Sequence, residues 1–144
     1  MQTQINCKRC LLTAVLVFAA VVAEGIFFNE VCLGGQYQVF KDLWREEERM
    51  KSLFPLLILG YGVFSYFFTW VFVKGYEPEK PGLGQGLRFA LLVWPLASLH
   101  VQLGSAPFLK VPLRFFTFWA LDGLFACLAA GIVAGLVYRP SART

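Results

Sequence analysis

The sequence predicts an all-α membrane protein in which four transmembrane helices form an up-down bundle. Hydrophobic residues make up 58% of its 144 positions and charged residues only 15%, and the mean hydropathy is +0.61. A soluble domain carries about a quarter charged residues. Four apolar runs are each long enough to cross a bilayer. We expect a single membrane domain over 1–144, with spans at about 11–32, 53–73, 86–104 and 113–138.

Two interpretations fit the first apolar run. In one, basic residues 8–9 and the apolar core 11–22 form a secretory signal peptide with a cleavage site at Ala23. In the other, the run is a membrane helix that continues through Glu24 to Cys32. We favour the membrane helix, because the apolar run does not stop at Ala23.

The connection between the first two spans predicts an interfacial amphipathic helix over about 36–51. Gly34-Gly35 is expected to break the helix. Tyr and Trp favour the membrane interface, and an apolar side opposite charged residues is typical of a helix lying in that plane. A solvated connector is favoured over a lid or partner-docking element. The apolar side of this segment carries Tyr37, Phe40, Leu43 and Trp44.

The second and third spans contain proline and glycine at positions with predictable effects. Pro55 falls in the first turn of its helix, where proline is tolerated. Gly60 and Gly62 are expected to allow close helix packing. A Gly- and Pro-rich loop over 74–85 separates the two spans, and Pro95 is expected to kink the third.

The last span combines one carboxylate, Asp122, with small residues at helical spacing. Such a helix packs closely against its neighbours, and a charge inside it needs a partner or a water-filled cavity. The small residues form two rows: Gly123, Cys127, Gly131 and Gly135 on one, and Ala126, Ala130 and Ala134 on the next.

Four polar side chains, one from each span, are predicted to lie at similar depth. A rise of about 1.5 Å per residue places Glu24 and His100 about 20 Å from the inner edge, Tyr61 about 18 Å and Asp122 about 16 Å. We call these four residues the polar layer. Intramembrane ionisable groups are costly and face the bundle interior, so we expect them to converge.

Three interpretations of the polar layer remain open. The first is a site that binds a proton or a cation, since two neighbouring carboxyls share a proton or pair with a cationic His. The second is a buried hydrogen-bond network of protonated carboxyls that fixes helix register. In the third, Glu24 and His100 reach water at the outer interface by themselves.

The four cysteines give a weaker signal. Cys7 and Cys10 form a Cys-Lys-Arg-Cys motif whose basic residues favour thiolates, which bind soft metals such as Cu(I) or Hg(II). A tetrahedral site needs four ligands, and the motif supplies two. Cys127 is expected to serve in packing. The sequence identifies no cofactor.

Other features narrow the functional class. The chain lacks GxSxG, HExxH, P-loop and Rossmann motifs, and its single His excludes multi-His metal catalysis. The net charge of +4 comes from cations near helix ends, which indicates contact with lipid headgroups and not with nucleic acid. We therefore expect a non-enzymatic protein with both termini in the cytoplasm, as a homo-oligomer or within a larger membrane complex.

Two resemblances bear on function. The stretch AAVVAEGIFF resembles the first span of small multidrug-resistance exporters, a similarity that concerns Glu24 only and implies export. The whole layout is similar to small four-span bacterial membrane proteins of uncharacterised function, which implies a bacterial inner membrane and gives no indication of activity. This similarity rests on Asn29, Gly60, the opening GLRFALL of the third span and the stretch from Trp119 to Gly123.

Two functional hypotheses follow. The first is a small transporter or channel-like protein that uses Glu24 and Asp122. The second is a structural or accessory subunit in which the aromatic faces and the segment 37–50 matter. A cavity that reaches the polar layer favours the first hypothesis, and a dry, tightly packed interior favours the second.

Overall fold

Helices make up almost all of the secondary structure. The computed structural model describes residues 5–39, 42 and 44–140, and no strand occurs among them. The described residues form six α-helices: α1 (Cys7–Phe28), α2 (Gly34–Val39), α3 (Glu47–Lys74), α4 (Gly82–Trp94), α5 (His100–Ser105) and α6 (Leu113–Val137). The π-helical turns Asn29–Leu33 and Pro95–Leu99 join α1 to α2 and α4 to α5.

Four helical stretches among the described residues are long and apolar enough to cross a membrane, which confirms the predicted all-α four-span fold. They are Cys7–Leu33, Glu47–Lys74, Gly82–Ser105 and Leu113–Val137. At most 33% of the 18-residue apolar window of any span is buried inside the molecule. Most of the apolar surface therefore faces outward, as expected of helices whose solvent is lipid.

α6 lies at the centre of the bundle. It packs against α1 on one side and against α4 on the other, and α3 packs mainly against α1. Two groups of buried side chains form the core. The larger group includes Val17, Val21, Phe68, Phe72, Ala90, Ala130 and Ala134; the smaller consists of Phe28, Leu33 and Phe115.

The α4–α6 contact brings two backbones together at glycine. A Cβ atom added to Gly86 would collide with the carbonyl oxygen of Gly131, and one added to Gly131 would collide with that of Gly86. One turn further on, Gly82 and Gly135 stand in the same reciprocal relation. The prediction that the small residues of the last span pack closely is confirmed. The third span begins at Gly82, so residues 82–85, which were predicted to belong to the loop over 74–85, form the start of α4.

The expected close packing at Gly60 and Gly62 is wrong. A Cβ added to either glycine would meet nothing within 4 Å, and residues 54–60 of α3 are all exposed. The reason is that α3 makes its packing contacts through its second half. Its buried residues are Ser65, Phe68, Thr69, Phe72 and Val73.

The predicted interfacial helix over 36–51 does not form as one helix. Gly34-Gly35 does not break the helix, because a π-helical turn leads directly into α2, although the membrane span ends at Leu33. Residues 47–51 instead belong to the first turns of α3, where Lys51 pairs with Glu47 at 2.6 Å. Phe40, Lys41 and Leu43, which the prediction placed in this segment, lie outside the described residues.

Candidate functional site

Three members of the polar layer lie together. The Glu24 carboxylate is close enough to Asp122 to sense its charge, and the Tyr61 hydroxyl senses both. Gly25 makes this possible, because a Cβ atom at that position would lie only 2.7 Å from the Tyr61 Oη atom. We call Glu24, Tyr61 and Asp122 the carboxylate cluster.

Three of the four carboxylate oxygens of this cluster are buried without a hydrogen-bond partner in the described part of the chain. Both Glu24 oxygens and Asp122 Oδ1 have no hydrogen-bond partner among the residues that the structure describes. A buried polar group without a hydrogen bond costs about 1–3 kcal/mol, and more when it is charged. The hydrogen-bond network expected under the second interpretation is thus not formed at these oxygens. The burial of the Glu24 oxygens also argues against their reaching outer water, as the third interpretation requires.

A cavity of about 220 Å³ adjoins the cluster. The polar or ionisable residues Tyr61, Ser98 and Asp122 are among those that line it. Since a water molecule occupies about 30 Å³ in the liquid, this space can hold several waters or one small solute. The lining residues come from α1, α3, the second π-helical turn and α6: Val21, Tyr61, Phe64, Ala97, Ser98, Asp122, Gly123, Ala126 and Cys127.

Gly123 determines how closely the second π-helical turn approaches α6. A Cβ atom at Gly123 would collide with the Ser98 side chain. The Ser98 hydroxyl donates to the carbonyl oxygen of Trp119 at 3.5 Å, and the Trp94 indole donates to that of Ala120 at 2.8 Å. The wall of the cavity that carries Ser98 is therefore fixed directly to the α6 backbone.

An aromatic cap, formed by Tyr37, Trp44, Phe115 and Trp119, covers the N-terminal end of α6. The rings of Tyr37 and Trp44 meet edge to face with centroids 4.8 Å apart. The Tyr37 hydroxyl donates to Asn29 Oδ1 at 2.7 Å, accepts a hydrogen bond from the Trp119 indole, and is close enough to Asp122 to sense its charge. The cap thus connects the polar groups of the carboxylate cluster to the connection between the first two spans.

Tyr37 gives a pH-dependent prediction. Burial, followed by the negative charge of Asp122, raises the pKa of the Tyr37 hydroxyl, and the Trp119 hydrogen bond offsets only part of this rise. The folded state therefore holds the proton more tightly than the unfolded chain, so the free energy of unfolding should fall as the pH rises above about 10.

We expect Tyr37→Phe to lower stability at neutral pH by about 1 kcal/mol, because it removes the bond to Asn29. It should also make the alkaline decline shallower. Denaturant titration in detergent between about pH 8 and pH 11 measures both effects. The exposed Tyr66, changed to Phe, is the control. An unchanged alkaline slope in Tyr37→Phe would show that other groups cause the decline.

The structure does not bring His100 into the cluster, although the sequence predicted that it would converge there. His100 is exposed and does not line the cavity. Helix residues are spaced by about 100° around the axis, so the second residue after the cavity-lining Ser98 points to nearly the opposite side. The predicted depth took no account of this rotation, which the π-helical turn Pro95–Leu99 also changes.

The thiols of the Cys-Lys-Arg-Cys motif are free, with Cys7 exposed and Cys10 half-buried. Among the described residues, no group of three or more His, Cys, Asp or Glu side chains is placed to hold a metal ion. Binding of a soft metal by this pair stays a prediction. Cys127 is buried in the core, as its expected packing role requires.

Sequence reasoning missed Asn29, Ser98 and Trp119 as neighbours of the cluster. Trp119 lies three residues before Asp122 and hence on the same helix face, which is a signal that could have identified it. Comparison of the chain with protein-family models, curated proteins and solved structures finds no match.

Proposed function

We propose that this protein is a small membrane transporter or channel-like protein in which Glu24 and Asp122 bind a proton or a small cation. One observation carries the proposal: three carboxylate oxygens are buried without a partner among the described residues, beside a cavity that Asp122 helps to line. Ionisable groups within a membrane mark ion pathways and proton relays more often than structural bonds.

The chemistry of the cluster follows from two neighbouring carboxyls in a medium of low dielectric. Two carboxylates at close range repel each other, so their doubly ionised form is disfavoured. A shared proton or a bound cation relieves the repulsion, and the Tyr61 hydroxyl is available to donate to the remaining anionic oxygen. Proton and cation therefore compete for one site, which is the basis of coupled exchange.

The ligand inventory favours a proton or a monovalent cation over a divalent metal ion. Ca²⁺ takes six to eight oxygen ligands, and Mg²⁺ needs near-ideal octahedral coordination. The cavity and the cluster together offer the carboxyls of Glu24 and Asp122 and the hydroxyls of Tyr61 and Ser98, while most other lining side chains are apolar.

The proposed location is the bacterial inner membrane with both termini in the cytoplasm. The end of the bundle that holds both chain termini carries six described Lys and Arg residues and the opposite end carries five, an excess of one that favours a cytoplasmic position. The described cations at this end are Lys8, Arg9, Lys74, Lys80, Arg88 and Arg139.

Flux measurements in proteoliposomes test the proposal. We expect Glu24→Gln and Asp122→Asn each to lower proton or monovalent-cation flux at least about tenfold, the size of effect that removing a proton-transfer group has in other sites. A pH-sensitive dye inside the vesicles reports the flux. Glu30→Gln is the matched control, because Glu30 is exposed near the end of the first span and should leave the flux unchanged.

Folding of each variant is checked by its elution as a single species and by its helical circular dichroism. A well-folded Asp122→Asn protein with the wild-type flux would contradict the proposal. So would a wild-type protein whose vesicles pass ions no faster than empty vesicles.

A second candidate function is that of an accessory subunit in a larger membrane complex. It is supported by the exposed apolar side chains in the N-terminal half of α3. Residues 54–60 are exposed and include three bulky side chains, Phe54, Leu56 and Leu59, that are more than half exposed. Under this alternative, neutralising the carboxylates changes little and wild-type vesicles carry no flux.

A further inference from the structure

A second open cavity lies at the opposite end of the bundle from the aromatic cap. It has a volume of about 260 Å³ and is formed where the last turns of α3 meet the first half of α4. We call it the basic cleft. Its walls include Val71, Phe72, Glu77, Gln85, Arg88 and Leu92.

The rim of the basic cleft is held in place by Gln85. Its side-chain oxygen accepts from the Glu77 backbone N–H at 2.8 Å, and its nitrogen donates to the carbonyl oxygens of Glu77 at 2.9 Å and Lys80 at 3.0 Å. Three hydrogen bonds thus tie the loop between α3 and α4 to the second turn of α4. The cleft is therefore a formed feature of the fold.

Arg88 supplies the uncompensated charge of the cleft. The other charged group on its walls, Glu77, is paired with Lys80 at 2.6 Å. Arg88 is exposed and has no ion pair or hydrogen bond from its side chain within the described part of the chain. The cleft consequently presents a free guanidinium, which is suited to bidentate binding of a phosphate group.

The position of the cleft corresponds to the membrane interface. Arg88 lies about 9 Å along α4 from its first residue, Gly82, and a long arginine side chain at that depth reaches the headgroups. On the neighbouring helix, the Lys74 ammonium sits 3.8 Å from the ring centroid of Trp70, and Trp is enriched at the same level. The cleft therefore lies between the polar and the hydrocarbon regions of the bilayer.

The walls below Arg88 are apolar and open to lipid. Val71 is 47% exposed and Leu92 is 66% exposed. A phosphate held at Arg88 would place its attached acyl chains against these side chains. This combination of a cationic rim and an apolar wall matches the two parts of a phospholipid.

We propose that the basic cleft binds an anionic phospholipid, with the headgroup phosphate at Arg88 and an acyl chain along Val71 and Leu92. Anionic lipids are attracted to the basic, cytoplasmic side of membrane proteins. The proposal does not depend on the carboxylate cluster. The outcome of the lipid-binding experiment therefore leaves the proposed transport function open, and the flux experiment leaves lipid binding open.

Binding is measured on the full chain by native mass spectrometry in detergent, with phosphatidylglycerol as the probe and phosphatidylcholine as the uncharged comparison. We expect tighter binding of phosphatidylglycerol, and an approximately fivefold loss of its affinity in Arg88→Gln, since one basic residue near the surface contributes about 1 kcal/mol. Arg49→Gln is the matched control, because Arg49 is an exposed arginine near the other end of α3.

Val71→Trp tests the apolar wall while Arg88 is left intact. It fills the cleft, and we expect a loss of phosphatidylglycerol affinity with an unchanged melting temperature in phosphatidylcholine. Wild-type affinity in both Arg88→Gln and Val71→Trp would overturn the proposal. Competition by millimolar inorganic phosphate with equal affinity would identify a free phosphate site and overturn the assignment to lipid.

Discussion

Replacing Gly86 by leucine is expected to separate α4 from α6 and to destabilise the protein by at least about 3 kcal/mol. The physical reason is that the two backbones touch at Gly86 and Gly131, so a side chain at Gly86 meets a carbonyl group and not a movable side chain. Overpacking of a core typically costs about 1–3 kcal/mol, and more where the neighbour cannot yield. The loss should appear as a lower midpoint of unfolding in detergent.

Gly84→Leu is the matched control for this prediction. Gly84 lies on the same helix two residues earlier, and a Cβ atom there would meet nothing within 4 Å. The exchange of glycine for leucine is the same, but only Gly86 faces α6. Equal stability of the two variants would show that the α4–α6 contact tolerates a wider separation than the structure has.

Glu24→Met is expected to raise the free energy of unfolding by about 1–3 kcal/mol while abolishing the proposed flux. Both Glu24 oxygens are buried and have no hydrogen-bond partner within residues 5–39, 42 and 44–140. Methionine has nearly the same shape without the polar atoms, so it removes the desolvation cost of the orphaned group. Residues that serve a function commonly make the protein less stable than a well-packed apolar replacement would.

Equilibrium unfolding in detergent measures the gain, and Glu30→Met at an exposed position controls for added apolar surface. Destabilisation by Glu24→Met would mean that the carboxyl contributes bonds that hold the bundle together. Glu24 would then have a structural role, and the proposal of transport would lose its main support.

The four-span architecture could be predicted from the sequence because length and apolarity are sufficient to identify a membrane helix. The meeting of Glu24 and Asp122 also followed from the sequence, since depth in an up-down bundle depends only on residue counts. The close α6 contact was predictable from the spacing of Gly131 and Gly135.

Rotation about a helix axis could not be predicted in the same way. His100 was predicted to lie at the same depth as Glu24. It is exposed, because the π-helical turn Pro95–Leu99 changes the direction in which the following side chains point around the helix axis. The continuation of α1 into α2 was missed for a related reason. Gly34-Gly35 usually ends a helix, but here the Tyr37–Asn29 hydrogen bond and the aromatic cap retain the helical path.

The backbone contact between α4 and α6 also bears on how the cavity beside Asp122 would be entered. The two helices meet through glycine carbonyls, and Ser98 donates to the α6 carbonyl of Trp119, so this wall is closely packed. The opposite wall includes Tyr61 and Phe64 on α3, and residues 54–60, which precede them, are exposed. We therefore expect water or an ion to enter from the α3 side, where less packing would have to be disturbed.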